Sequence, residues 1–259
     1  MSEQLELSVV IPVFNEAGNV EALLSEIKAA LDGRAYEIIF VDDESTDETH
    51  GRLVELVPET PELRVLRHRN RCGQSRAVRT GVMAAKGRVI ATLDGDGQNV
   101  PVDLPDLYRQ LTRSNAPEKL AMVIGERVNR QESPWRNVGS RFGNVIRRAV
   151  LHDGNRDSAC GIKVIHRNVF LELPYFDHMH RYMPALVQAE GYEVETRPVQ
   201  HRRRRAGKTK YTNIRRLIDG WSDLRAVAWL IRRRRHPGSV EEVRRATSDP
   251  RHQAVSDAA

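Results

Sequence analysis

The feature that most constrains the fold is an alternation of apolar runs with helix-patterned segments over the first 125 residues. Runs that are apolar throughout are typical of strands buried on both faces of a parallel sheet. Their alternation with helices predicts an α/β fold, in which ligands bind at the carboxyl ends of the strands. The predicted strands cover residues 7–14, 36–41, 63–66, 89–93 and 121–124. The predicted helices cover residues 19–31, 47–57, 74–85 and 103–112.

Two carboxylates, Asp94 and Asp96, follow the fourth predicted strand directly, with glycines between and after them. Hard cations such as Mg²⁺ or Mn²⁺ take oxygen ligands, usually one or two carboxylates together with substrate phosphates. Gly95 and Gly97 would let a ligand approach the backbone closely. The competing interpretation is an acidic β-turn, because Asp and Gly dominate turns.

Acidic residues also end the first two predicted strands. Asp42 and Asp43 follow the second strand, and Glu16 follows the first. A carboxylate at this edge could accept hydrogen bonds from a nucleobase or a ribose. The competing interpretation is helix capping by residues 45–47, and both can hold because different residues serve each. Three strands that end in Asp or Glu on one edge favour a ligand site there.

Charge is distributed unevenly along the 259 residues, whose net charge is +6. Residues 1–110 hold 12 Lys and Arg against 19 Asp and Glu, whereas residues 111–259 hold 29 against 16. The basic half suits nucleic acid, an anionic membrane or a phosphorylated substrate, or it is a solvated basic face. The two cysteines, Cys72 and Cys160, form no disulfide framework and suit a reducing cytoplasm. No apolar run approaches the roughly 20 residues that span a bilayer.

The remaining segments divide the chain into three predicted parts: a catalytic domain over 1–211, an amphipathic helix within 212–236, and a flexible polar tail over 237–259. The helix, over 213–235, either lies on anionic lipid or packs on the catalytic domain or a second subunit. Its predicted apolar stripe comprises Ile214, Leu217, Ile218, Trp221, Leu224, Ala228 and Ile231. Further elements are predicted over 135–151 and 182–189 as helices, over 162–165 and 192–198 as strands, and over 201–211 as a basic loop.

Several fragments resemble family-2 glycosyltransferases of the GT-A fold, which has a Rossmann-like, mostly parallel sheet with helices on both faces. They are Val-Val-Ile-Pro-Val-Phe-Asn-Glu (9–16), Val-Asp-Asp-Glu-Ser-Thr-Asp (41–47) and Leu-Asp-Gly-Asp-Gly-Gln (93–98). Later fragments resemble the polyprenyl-phosphate glycosyltransferases, typified by dolichol-phosphate mannose synthase. They are Gly-Glu-Arg (125–127), Asp-Ser-Ala-Cys-Gly-Ile-Lys (157–163) and Arg-Arg-Ala-Gly-Lys-Thr-Lys-Tyr (204–211). The resemblance covers about residues 7–230.

The resemblance implies a role for each matching residue. The nucleoside would contact Pro12, Phe14, Glu16, Val41 and Asp43. The Mg²⁺ or Mn²⁺ ion and the diphosphate would bind Asp94, Asp96 and Gln98. The acceptor phosphate would contact Arg127, Ser140 and Arg141. A loop carrying Arg204 and Lys210 would close over the phosphates, and Asp157 and Arg181 would face the substrate. The other arginines of that loop, and the histidines His50, His68 and His152, have no motif role and are expected to be ordinary surface or loop residues.

The implied activity is transfer of a sugar from a nucleoside-diphosphate donor to polyprenyl phosphate, by an enzyme at the inner face of the membrane. A phosphate acceptor is already a nucleophile, so positioning and electrostatics would supply most of the rate. The family usually has Gly or Asn where Glu44 stands, which leaves guanine and uracil open as the base. The sugar (mannose, glucose or an aminoarabinose type), the lipid length and an oligomeric or membrane partner stay open too.

Two other activities compete with this prediction. A saccharide or lipid hydroxyl acceptor on the same fold would need a general base near Asp157. A nucleic-acid-binding module would explain the basic half, but no basic platform interleaved with aromatic residues is visible. A dinucleotide-dependent oxidoreductase is disfavoured, since no G-x-G-x-x-G motif follows the first strand.

Overall fold

The computed structural model describes residues 5–128, 147–151, 154, 157–203 and 213–235, with 213–219 described by their backbone alone. In this part of the chain, seven strands form one sheet in the order β3-β2-β1-β4-β6-β5-β7. The strands are β1 (Leu7–Val13), β2 (Tyr36–Asp42), β3 (Leu63–Arg67), β4 (Val89–Thr92), β5 (Leu120–Arg127), β6 (Lys163–His166) and β7 (Glu193–Val199). The helices are α1 (Val20–Ala30), α2 (Thr49–Leu56), α3 (Gln74–Ala84), α4 (Leu104–Thr112), α5 (Arg167–Glu172), α6 (Met183–Ala189) and α7 (Asn213–Arg233).

The sheet is parallel except at β6, which runs antiparallel to its neighbours β4 and β5. Strand β1 lies at the centre of the first half, paired in parallel with β2 on one side and β4 on the other. The chain therefore builds outward from β1 through β2 to β3 and then returns to the other side of β1. Such a reversal opens a crevice at the carboxyl ends of the strands.

Nearly continuous burial of the strands explains why they pair in this way. The burial of β1 and β2 is almost complete from end to end, as expected for strands covered by helices on both faces. Helix α3 approaches this pair closely at Gly81, where an added Cβ atom would lie 2.4 Å from Val10 Cγ1. The predicted strands and helices of the first 125 residues all appear, with ends shifted by a few residues.

The second half differs from the prediction in two respects. Helix α5 was not predicted, because six residues are too few to show helical periodicity. The predicted apolar stripe of α7 is divided in the structure: Leu224 and Ala228, together with Val227, are buried against the core, whereas Trp221 is 56% exposed. Most of the predicted helix over 135–151 lies outside the described residues. The part of it that is described, residues 147–151, is helical. The tail over 237–259 also lies outside them. Within the described chain, none of the helices has both the length and the apolarity that a membrane crossing requires.

Candidate active site

The acidic residues that the sequence places at strand ends lie around the crevice beside β1. Asp43 follows β2, and its amide donates to the Val13 carbonyl at the end of β1. The loop that carries Asp94 and Asp96 follows β4 on the opposite side of β1. An added Cβ atom at Gly95 would lie 2.9 Å from the Pro12 carbonyl oxygen, so this loop rests directly on the end of β1. One strand end thus joins the predicted nucleoside and metal regions.

The loop after β4 is tightly folded. The Asp96 carboxylate accepts a hydrogen bond from the Gln98 amide at 3.0 Å, which closes a turn. Gly97 has φ +70°, a value that glycine adopts without strain. The turn and the predicted ligand set are therefore compatible, because the turn uses one carboxylate oxygen of Asp96.

The carboxyl group of Asp94 in this loop has a raised pKa. Burial, together with the neighbouring Asp96 carboxylate, raises the pKa of Asp94 to about 6. The cations of Lys163 and Arg127, with the Gln74 amide that donates to Asp94 Oδ1 at 2.8 Å, oppose that shift of the pKa. Two crowded carboxylates beside an amide side chain form an oxygen donor set that fits a hard divalent cation. The residues present therefore suit the predicted Mg²⁺ or Mn²⁺.

Gly161 has no room for a side chain against this carboxylate. An added Cβ atom would lie 2.2 Å from Asp94 Oδ2 and 2.6 Å from Asn99 Oδ1. Asn99 is 2% exposed, and its Oδ1 meets no hydrogen-bond donor within the described residues. A buried amide oxygen beside the acidic pair adds to the oxygen-rich character of the site. Neither residue has a predicted role, although Asn99 adjoins the predicted ligand Gln98.

Two cations lie behind the loop that carries Asp94 and Asp96, called the acidic loop below. Lys163 is 3% exposed at the start of β6 and donates to the Cys160 carbonyl; burial lowers its pKa, while Cys160, Asp94 and Asp157 oppose that change. Arg127, at the end of β5, donates to both oxygens of Asp157 at 2.7 Å. The sequence signal for Lys163 is a lysine within the otherwise apolar predicted strand 162–165, because lysine is rarely fully buried.

The nucleoside region lies on the other side of β1. Pro12 and Val41 are register partners on β1 and β2, and Val41 is fully buried. The Phe14 ring lies under the Arg71 guanidinium, whose central carbon is 3.9 Å from the ring centroid. An aromatic ring and a guanidinium at a strand end make a flat surface suited to a planar group.

Three hydrogen-bond donors hold the Asp43 carboxylate in one orientation. Its carboxylate accepts hydrogen bonds from the amides of Cys72 and Gly73, at 2.9 and 2.8 Å. His68 Nδ1 lies 2.7 Å from Asp43 Oδ1, and His68 Nε2 lies 2.9 Å from the Thr80 hydroxyl. The expectation that His68 is an ordinary loop residue is therefore wrong. Its spacing along the chain gives no signal, since 25 residues separate it from Asp43.

Glu16 and Glu44 are also held by the fold. Glu16 is 8% exposed and accepts a hydrogen bond from the Asn19 side chain. Glu44 has φ +65°, the left-handed region that favours Gly or Asn, which explains why the family usually has those residues there. The Glu44 carboxylate accepts a hydrogen bond from the Arg71 amide at 2.8 Å. Glu44 therefore joins the turn after β2 to the segment that carries Arg71.

Arg202 has a larger role than its place in a basic run indicates. Its guanidinium binds both oxygens of Glu26 on α1, at 3.0 and 2.7 Å, and also donates to the Gly97 carbonyl. Its amide donates to the Gln98 carbonyl at 3.0 Å. Arg202 thereby holds the acidic loop between α1 and the end of β7, contrary to the expectation that it has no role.

The remaining predicted site residues fall into two groups. Arg181 lies in a short turn beside His180, whose Nδ1 lies 2.7 Å from the Ser75 hydroxyl at the start of α3. This contact brings the turn next to Gln74 and so near Asp94. Ser140, Arg141, Arg204 and Lys210 lie outside the described residues.

Comparison with known proteins agrees with this arrangement. The model of the family described as glycosyl transferase family 2 matches residues 8–173. A dodecaprenyl-phosphate galacturonate synthase of Rhizobium johnstonii is 32% identical over 91% of this chain and 70% of the relative. An undecaprenyl-phosphate 4-deoxy-4-formamido-L-arabinose transferase of an Enterobacter species is 31% identical over 85% of this chain and 66% of the relative. The chain thus spans about two thirds of the length of these relatives.

Solved structures share the fold at low identity. Glucosyl-3-phosphoglycerate synthase of Mycobacterium tuberculosis, solved with Mn²⁺ and UDP-glucose, gives a TM-score of 0.67 at 18% identity, over 90% of this chain and 82% of that one. A mannosyltransferase of Pyrobaculum calidifontis, solved with GDP-mannose and Mn²⁺, gives 0.66 at 20% identity, over 91% and 67%. The α/β architecture with its mostly parallel sheet is the GT-A fold, as predicted. With Asp94 and Asp96 after a central strand of that fold and a family match over residues 8–173, the chain belongs to glycosyl transferase family 2.

Proposed function

We propose that this glycosyltransferase moves a sugar from a nucleoside-diphosphate donor to a polyprenyl phosphate, as a peripheral protein at the inner face of the membrane. The observation that carries the proposal is the proximity of Asp94 and Asp96 to the cations of buried Lys163 and partly buried Arg127 at one strand edge. Two anionic substrates need such cations to overcome their mutual repulsion. The names of the relatives, which act on dodecaprenyl and undecaprenyl phosphates, support this acceptor class.

The donor half of the site would be built on three strand ends. Asp94, Asp96 and Gln98 would hold the divalent cation, which neutralises charge on the departing nucleoside diphosphate when bound. The predicted contacts of the nucleoside are Pro12, Phe14, Glu16, Val41 and Asp43. The hydrogen bonds that fix Asp43 favour this assignment, because a preorganised acceptor binds with less ordering entropy.

The acceptor half would be basic. Arg127, Ser140 and Arg141 would contact the acceptor phosphate, with Arg204 and Lys210 closing over the phosphates and Arg181 nearby. Arg suits bidentate phosphate contacts, and Asp157 would orient the Arg127 guanidinium. The phosphate oxygen would attack the sugar carbon directly while the nucleoside diphosphate leaves, inverting the configuration. No side chain needs to remove a proton in that step.

The competing hydroxyl acceptor receives less support from the geometry. A general base must be able to reach and take a proton. Both oxygens of Asp157 already accept hydrogen bonds from Arg127, and the two side chains are only 9% and 12% exposed. Replacing Asp157 with Asn separates the two acceptors, since loss of a base abolishes turnover whereas loss of an orienting group weakens it.

The test is turnover by the purified chain with Mn²⁺ or Mg²⁺ and a short-chain polyprenyl phosphate. The donors to be tested are nucleoside diphosphates linked to galacturonate, an aminoarabinose-type sugar, glucose or mannose, because the relatives leave the sugar undecided. We expect one donor to give a lipid-linked sugar. Asp96→Asn should lower turnover by at least about a hundredfold, since removal of one electrostatic contact to the transition state has that effect.

A matched control is Asp106→Asn, the same change at an exposed aspartate of α4 whose side chain is 72% exposed. That variant should retain full turnover. Folding of each variant is checked by circular dichroism. If no donor yields lipid-linked sugar while the protein is folded, or if Asp96→Asn keeps normal turnover, the proposal is wrong.

A further inference from the structure

The exposed face of α7 carries an unusual combination of residues. Trp221 and Trp229 are 56% and 57% exposed, and Arg225 lies between them, one helical turn from each. Arg232 and Arg233 continue the same face at the end of the helix, and both are exposed. The Arg233 guanidinium carbon lies 5.5 Å from the Trp229 ring centroid. Spacings of three and four residues place all five side chains on one side of the helix.

The opposite face of α7 is already occupied. Leu224, Val227 and Ala228 are buried, and Ile231 packs against the same core. Packing on the catalytic domain is one of the alternatives that the sequence leaves open for this helix, and the aliphatic residues make that contact. The tryptophans take no part in it, so packing on the domain does not explain them.

We propose that this face, formed by Trp221, Arg225, Trp229, Arg232 and Arg233, docks the protein on an anionic lipid bilayer. Tryptophan favours the boundary between headgroups and acyl chains, because its ring is amphipathic. Arginines on the same face are attracted to anionic headgroups. Charge complementarity selects this occupant over a second copy of the chain, whose identical face would bring arginines against arginines.

The position of α7 relative to the site gives docking a use. The Tyr182 hydroxyl donates to the Gly220 carbonyl at 3.3 Å, and His178 lies 2.8 Å from Asp223. Both partners belong to the segment around His180, which reaches Ser75 at the start of α3. The docked helix would therefore lie one layer from the residues around Asp94. The benefit, access to an acceptor held in the bilayer, rests on the proposed function, but the docking itself does not.

The experiment measures co-sedimentation of the full chain with vesicles. Vesicles of phosphatidylcholine mixed with phosphatidylglycerol should bind the protein, and vesicles of phosphatidylcholine alone should bind it less. Trp221→Ala combined with Trp229→Ala should weaken binding to the mixed vesicles at least about tenfold. Arg225→Gln should weaken it about fivefold, the effect of one basic residue near an anionic surface, and high salt should reduce that difference.

Matched controls use exposed residues elsewhere: Met83→Ala for the apolar change and Arg109→Gln for the charge. Both should bind vesicles as the parent chain does. All these variants should keep parental turnover with a short-chain acceptor in detergent, so a failed turnover assay would overturn the function without touching the docking surface. Normal vesicle binding by the double tryptophan variant would overturn the docking proposal. So would sedimentation velocity that shows this variant converting a dimer into monomers with vesicle binding intact.

Discussion

At the scale of the residue, the protonation of Asp94 is governed first by its burial and then by repulsion from the Asp96 carboxylate. The pKa of Asp94, raised to about 6 by burial and by Asp96, means that the metal-free protein holds a proton there in mildly acidic solution. An unfolded chain would release that proton near the ordinary aspartate pKa of about 3.9. The native state therefore binds the extra proton between those two values.

The sign of the resulting pH dependence follows from that difference. A metal ion must displace the proton below pH 6, so Mn²⁺ affinity should fall about tenfold per pH unit as the pH drops below about 6. Without metal, the contribution of this group to the free energy of unfolding should rise as the pH falls from neutrality towards 4. Calorimetric titration with Mn²⁺ and urea unfolding across this range measure both. An affinity that stays constant through pH 6 would contradict the assignment, and Asp106→Asn should reproduce the parental profile.

At the scale of the element, α3 packs closely on the central strands at Gly81. A Cβ atom at Gly81 would lie 2.4 Å from Val10 Cγ1 and 3.1 Å from Val41 Cγ2. Both valines are fully buried in central strands, so neither can move aside easily. The glycine is therefore needed for packing, despite its low helix propensity.

Gly81→Ala should consequently destabilise the protein. Overpacking of a core costs about 1–3 kcal/mol, which exceeds the gain in helix propensity of about 1 kcal/mol. Gly51→Ala is the matched control, because Gly51 lies in α2 with no atom within 4 Å of its added Cβ. That variant should be stabilised by about 0.5–1 kcal/mol. Urea unfolding measures both, and a shift of the two variants in the same direction would refute the argument.

At the scale of the whole molecule, Arg202 connects parts that are far apart in the chain. Its partners Glu26 and Gly97 lie 176 and 105 residues away, and its own segment follows β7. A hydrogen bond to a charged group contributes about 1.5–3 kcal/mol to stability. The ion pair between Arg202 and Glu26 is only partly exposed to solvent. Arg202 therefore holds the loop that carries Asp94 and Asp96, although Arg202 itself lies after β7 in the second half of the chain.

Arg202→Ala should release that loop. We expect Mn²⁺ affinity to fall several-fold and the free energy of unfolding to fall by about 1–2 kcal/mol, since the ion pair is partly exposed. The comparison variant is Arg52→Ala, which removes an exposed ion pair between Arg52 of α2 and Glu48, the residue before that helix. Its free energy of unfolding and its metal affinity should both equal those of the parent chain within the error of the measurement, because the pair is exposed to solvent. Equal effects of the two changes would mean that Arg202 is an ordinary surface residue.

The sequence by itself determined the architecture of the first half and the acidic strand ends. Continuous apolar strands can be buried only in a helix-covered sheet, and carboxylates after such strands must gather at one edge because parallel strands end on the same side. Only the tertiary structure decided which distant groups support those carboxylates. His68 holds Asp43, Gly161 and Lys163 crowd Asp94, and Arg202 grips the acidic loop through contacts between segments far apart in the chain. Periodicity reports local structure, whereas these contacts depend on the three-dimensional path of the chain, which no local pattern encodes.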